Sequence, residues 1–102
     1  MTPHSLAEER SLALHRAIAE RLRSEPRILE RARERVRTWA EHGGTHREYV
    51  DAWQAVLALS LEEVAVFLVD SSEHARALRQ ASPFAGALAA RERWRIWRAV
   101  SP

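Results

Sequence analysis

Apolar residues recur every three or four positions along nearly the whole chain, period-two alternation is absent, and β-branched residues are few. That is the periodicity of amphipathic helices, not of strands. The pattern predicts an all-α fold, a compact single-domain bundle of about five or six short helices spanning residues 1–102, with residues 1–4 disordered. Leu14, Ile18 and Leu22 form the stripe of a first helix, with Leu6 and Leu12 beside it, opened by the capping-box pattern Ser5-Leu6-Ala7-Glu8. Ser24-Glu25-Pro26 ends that helix and starts a second, because proline fits the first turn. Ile28, Leu29, Ala32, Val36, Trp39 and Ala40 form the inner face of this second helix.

Gly43-Gly44 closes the second helix, and Thr45-His46-Arg47-Glu48 has the form of another capping box. Tyr49, Val50, Trp53, Val56 and Leu57 then point inward on a third helix. Ser60-Leu61-Glu62-Glu63 opens a fourth, carrying Leu61, Val64, Ala65, Phe67 and Leu68. Asp70-Ser71-Ser72-Glu73 caps a short fifth helix with Ala75, Ala77 and Leu78, and Ser82-Pro83 breaks the chain before a last helix from about Ala89 to Val100. On that last helix Trp94 and Trp97 share one face with Val100 close by, whereas Ile96 projects elsewhere.

Charge divides the chain in three. Every one of the sixteen basic residues is arginine, a bias that a GC-rich genome also produces, so the formal net charge of +2 says little about partners. Its distribution says more: residues 1–47 carry ten Arg against seven acids, 48–75 carry six acids and no Arg, and 76–102 carry six Arg against one acid. The simplest expectation is that the C-terminal arginines fold back on the acidic middle. Outward-facing Arg27, Arg31, Arg33, Arg35 and Arg37, interleaved with Glu30 and Glu34, read as a solvated face.

Little in the sequence suggests catalysis. There is no cysteine, hence no disulfide or thiolate metal site, and no glycine-rich phosphate loop. His42 and His46 are four apart, but the glycines between them break the helical geometry that would let them share a metal. Serines fall mainly at helix starts, where capping accounts for them. The chain is expected to be a non-enzyme without cofactor or metal. It has no secretory leader in its first residues and no apolar run near membrane length, hence a cytoplasmic expectation with no membrane partner.

Binding remains. Residues 52–65 are similar to the closing helices of repressor-type helix-turn-helix domains. Those helices nevertheless offer Glu48, Asp51, Glu62 and Glu63, which a phosphate backbone repels, where a recognition helix would offer Arg, Asn or Gln. Arginine and aromatic residues are the types that anchor protein interfaces, and Trp94 and Trp97 lie beside a row of Arg91, Arg95 and Arg98.

Two stretches carry a family likeness. Glu9-Arg10-Ser11-Leu12-Ala13-Leu14-His15-Arg16-Ala17-Ile18-Ala19, and Leu78-Arg79-Gln80-Ala81-Ser82-Pro83-Phe84-Ala85-Gly86-Ala87-Leu88 followed by Arg91-Glu92-Arg93-Trp94, resemble small helical bacterial proteins encoded beside a nucleotidyltransferase-like toxin and regarded as its antitoxins. Those relatives begin their last helix with Ser-Pro, where this chain has Ala89-Ala90. The resemblance implies a cognate toxin enzyme as partner, with repression through operator DNA as a second role. Together the two lines of reasoning make Phe84, Arg91, Trp94, Arg95, Trp97 and Arg98 the expected partner-binding residues, joined by His15 and Arg16 on the first helix. A DNA-binding regulator and a structural adaptor or homo-oligomer are the competing readings.

Overall fold

The computed structural model describes residues 3–100, with side chains from Leu6 onward. Six helices follow one another: α1 (Pro3–Arg21), α2 (Arg27–His42), α3 (Arg47–Leu57), α4 (Leu61–Leu68), α5 (Glu73–Arg79) and α6 (Ala90–Ala99). No strand occurs among the described residues, so the all-α expectation holds. α2 pairs with α3, while α1 packs against α4, α5 and α6 and so touches the second half of the chain along its length.

The start differs from expectation. Met1 and Thr2, expected to be disordered, lie outside the described residues, but Pro3 and His4 already belong to α1. Proline is at home in a first turn, so Ser5 falls inside the helix and Ser5-Leu6-Ala7-Glu8 does not mark its start. The Thr45 box fails too. The N-cap of α3 is His46, which makes no side-chain cap bond and instead offers its carbonyl to the amides of Tyr49 and Val50. The Ser60 box is complete, with Ser60 Oγ accepting from the Glu63 amide and the Glu63 carboxylate accepting from the Ser60 amide. Ser72 caps α5 by accepting from the Ala75 amide, and Asp70 accepts from the Ser72 amide behind it. Gly43 ends α2 at φ 83°, a conformation in which a side chain would be strained.

The core is the expected stripes brought together: Ile18 and Leu22 of α1, Ile28, Leu29, Ala32 and Val36 of α2, Val50, Trp53, Val56 and Leu57 of α3, Val64 and Leu68 of α4, and Leu78 of α5. Each large aliphatic side chain taken out of water here contributes about 1.5–3 kcal/mol. Trp53 is fully buried at the centre, its ring edge-on to Phe67 at 5.9 Å and to Phe84 at 6.0 Å. Ala77, expected inward, is exposed because Ala75 and Leu78 take the inner face of the short α5. Arg33 leaves the solvated face assigned to it: its Nε donates to the Leu57 carbonyl at 2.9 Å and its Nη2 to Leu59, placing a cation on the open end of α3.

Candidate interaction surface and groove

α6 packs toward the core through Ile96 and is joined to α1 by polar and cation–π contacts as well. Ile96 is half-buried against the core, whereas Trp94 and Trp97 are 56% and 38% exposed. The two tryptophans share one face of α6, as expected, and the face turned to the core is that of Ile96. The two indoles stack, with centroids 5.1 Å apart and planes 13° from parallel. Glu92, the acid of this helix, pairs with Arg21 of α1. Among the described residues Arg91, Arg93, Arg95 and Arg98 form no ion pair, and the Arg98 guanidinium lies 5.9 Å from the Trp94 ring. The α6 arginines therefore do not fold back on the acidic middle, since α6 docks on α1 instead, whereas Arg79 of the same C-terminal stretch does reach it, at the carbonyls of Leu68 and Asp70. Of the middle acids, Glu62 is held by Arg23 with a hydrogen bond of 2.8 Å, and Asp51 by Arg47 at 3.1 Å.

Arg10 closes the join between the chain's first and last helices. Its guanidinium lies 3.5 Å from the Trp97 ring centroid, a cation–π contact, and its Nε donates to the carbonyls of Trp97 and Val100, each at 3.2 Å. Those carbonyls lie at the end of α6, where a cation is electrostatically favoured. Beside this join a groove of about 820 Å³ opens between α1, the connection 80–89 and α6. Its walls include Leu14, Ile18, Trp39, Phe84 and Leu88, its cations are Arg10, Arg79 and Arg93, and among the described residues no Asp or Glu lines it.

At the groove, His15 and Ser82 form a chain of hydrogen bonds. His15 Nδ1 lies 2.8 Å from the Ser11 carbonyl, which can only accept, so Nδ1 carries the proton. Nε2 then accepts from the Ser82 hydroxyl at 2.7 Å, and Ser82 Oγ accepts from the Phe84 amide at 3.1 Å. Burial pulls the imidazole pKa below its ordinary value; the bond to Ser11 works against this, and the nearby Arg79 charge adds to it. A neutral imidazole accepting from a hydroxyl is the arrangement by which a base activates a nucleophile. Here the Nδ1 proton is committed to the Ser11 carbonyl of α1 itself, and the Nε2 lone pair with the Ser82 hydroxyl seats the connection 80–89 on that helix. Arg79, the last residue of α5, ties that helix to the end of α4, its Nη1 donating to the carbonyls of Leu68 and Asp70.

Comparisons with family models, curated proteins and solved structures find no match to this chain.

The expected partner-binding residues thus separate by location. Arg91, Trp94, Arg95, Trp97 and Arg98 are exposed together on α6. Phe84 is buried against Trp53 and His15 is buried at the groove, so neither side chain lies with the others on the exposed face of α6. Periodicity gave no warning about Phe84, which sits in a non-helical connection, or about His15, whose partner is 67 residues away. Arg16 is exposed but faces α4, in a smaller depression with Ala19, Glu20, Arg23, Ala65 and Val69. Arg10 and Arg93 are the residues that sequence reasoning missed; an arginine at each end of the chain carries no local mark of a shared groove. Among the described residues no group of three or more His, Asp or Glu is placed to hold a metal ion, and no helix is long and apolar enough to cross a membrane.

Proposed function

We propose that this chain is a protein-interaction module that presents the exposed face of α6 to an acidic surface of a partner, acting as an antitoxin toward a nucleotidyltransferase-like enzyme. The observation that carries the reading is the division of labour on α6: Ile96 packs inward, and a stacked tryptophan pair is left in solvent among arginines that have no acid partner among the described residues. Exposed tryptophans beside arginines are the composition of interface hot spots. A carboxylate-rich metal or nucleotide cleft is the kind of surface that four unpaired guanidiniums complement. The sequence resemblance supplies the identity of the partner class.

Co-expression with the product of the adjacent gene tests this. The reading expects the two proteins to co-purify, and expects Trp94→Ala with Arg95→Glu and Arg98→Glu to abolish both capture and rescue from toxicity while leaving the helical circular dichroism intact. Failure to co-purify, or rescue that survives the triple change, refutes it. A second reading, operator binding, is favoured by the exposed Arg27, Arg31, Arg35 and Arg37 on α2, which form no ion pair among the described residues. A mobility shift on the upstream region at low salt, where phosphate contacts are strongest, decides it.

A further inference from the structure

We propose that the groove between α1, the connection 80–89 and α6 is a binding site for a small amphipathic carboxylate, an acyl-chain acid whose tail lies along the apolar wall and whose head meets Arg10 and Arg93. Three observations converge. The volume, about 820 Å³, lies in the range of small-ligand pockets, and Leu14, Ile18, Trp39, Phe84 and Leu88 supply the apolar lining such sites share. Among the described residues the lining carries charge of one sign, Arg10, Arg79 and Arg93; Arg79 has Asp70 and Glu8 near it outside the lining, which leaves Arg10 and Arg93 as the cations offered to a ligand. The polar floor adds no charge of its own, because His15 is held neutral between Ser11 and Ser82.

The third observation concerns order. The Arg10 side chain is fixed by the Trp97 ring and by two carbonyls that occupy its Nε, while its Nη groups have no acid partner among the described residues. Arg93 is exposed at the rim and likewise forms no ion pair. A guanidinium fixed in this way has lost its rotamer freedom before a ligand arrives, and its remaining donors match the fork of a carboxylate. The site does not depend on the partner-docking reading. Trp94, Arg95 and Arg98 lie outside the groove lining, so the docking variants leave the groove intact and failure of one reading is distinguishable from failure of the other.

The experiment titrates the purified protein with decanoate, decanol and decyltrimethylammonium below their micelle concentrations, following amide shifts by NMR. The expected result is saturable decanoate binding with shifts concentrated at Ser11, Ser82, Gly86 and Arg93. Decanol should bind about ten- to a hundredfold more weakly, the value of a charge-assisted hydrogen bond, and the cation more weakly still. Arg93→Gln, at an exposed position that leaves the core untouched, should bring decanoate down to the decanol level; Arg10→Gln should do the same and also loosen α6. Equal binding of all three amphiphiles, shifts scattered over other faces, or an Arg93→Gln protein that keeps its preference for decanoate would overturn the proposal.

Discussion

Replacing Trp53 by phenylalanine probes the contact on which the groove wall depends. The indole is fully buried, and its Nε1 donates to the Ala81 carbonyl at 2.9 Å, tying α3 to the residue just before Ser82. Phenylalanine keeps a ring against Phe67 and Phe84 but cannot donate. Ala81 is half-buried, so its carbonyl loses its partner at about 1–2 kcal/mol. The volume left by the shorter side chain adds about 1–2 kcal/mol. The sum, about 2–4 kcal/mol, is a large part of the roughly 5–15 kcal/mol expected for a domain of this size. It corresponds to a fall in Tm of about 10–25 °C. Urea unfolding followed by far-ultraviolet circular dichroism should show a lower midpoint at unchanged m, and hydrogen exchange at Phe84 and Ala87 should speed up more than in α2. A loss under about 0.5 kcal/mol, below the worth of one buried hydrogen bond, would refute the claim that this bond seats the connection.

Three further outcomes follow from the same geometry. His15 is buried neutral with a lowered pKa, so acid favours the unfolded chain, in which it titrates near the ordinary value of 6.5. Its contribution is therefore complete above that pH and lost as pH falls below it, and a urea midpoint that drops from about pH 6.5 downward in the native chain but stays flat in His15→Gln checks the sign. Gly44→Ala would place a Cβ 2.5 Å from Trp39 Cδ1 at a φ of 149°, and should cost about 1–2 kcal/mol in thermal unfolding. Ile96→Ala should lower stability by about 1–2 kcal/mol, since a half-buried isoleucine loses part of its packing, whereas Trp94→Ala should stay within about 0.5 kcal/mol; calorimetry on the pair separates the inward face from the outward one.

The helices were legible because their cues are local. Ile28, Leu29, Ala32 and Val36 announce one face within nine residues, Ser60 and Glu63 write a cap in four, and Gly43 marks a stop by itself. What local cues could not convey is which residues meet across the chain. Two tryptophans three apart look like a core stripe, yet α6 turns Ile96 to the core and leaves both indoles largely outside it, so hydrophobicity and burial part company there. Phe84 belongs to no helix and is buried because Trp53 offers it an edge. The groove arises where α1, α6 and the connection 80–89 converge, through pairings such as Arg10 with Trp97, 87 residues apart, that no sequence window contains.

Because α1 rests on α4, α5 and α6, it spends its first moments after synthesis without its principal neighbours. At roughly 5–20 residues per second, α4 to α6 follow it off the ribosome only after a delay on the order of several seconds. Until then Leu14, Ile18 and Leu22 have no cover from those helices, while α2 and α3 already have each other. Assembly in the cell should therefore begin with the α2–α3 hairpin and finish when the last helix closes over the first, its arrival fastened by Arg10. A chain truncated before Ala90 would lack that closing step and present its first helix to chaperones and proteases instead.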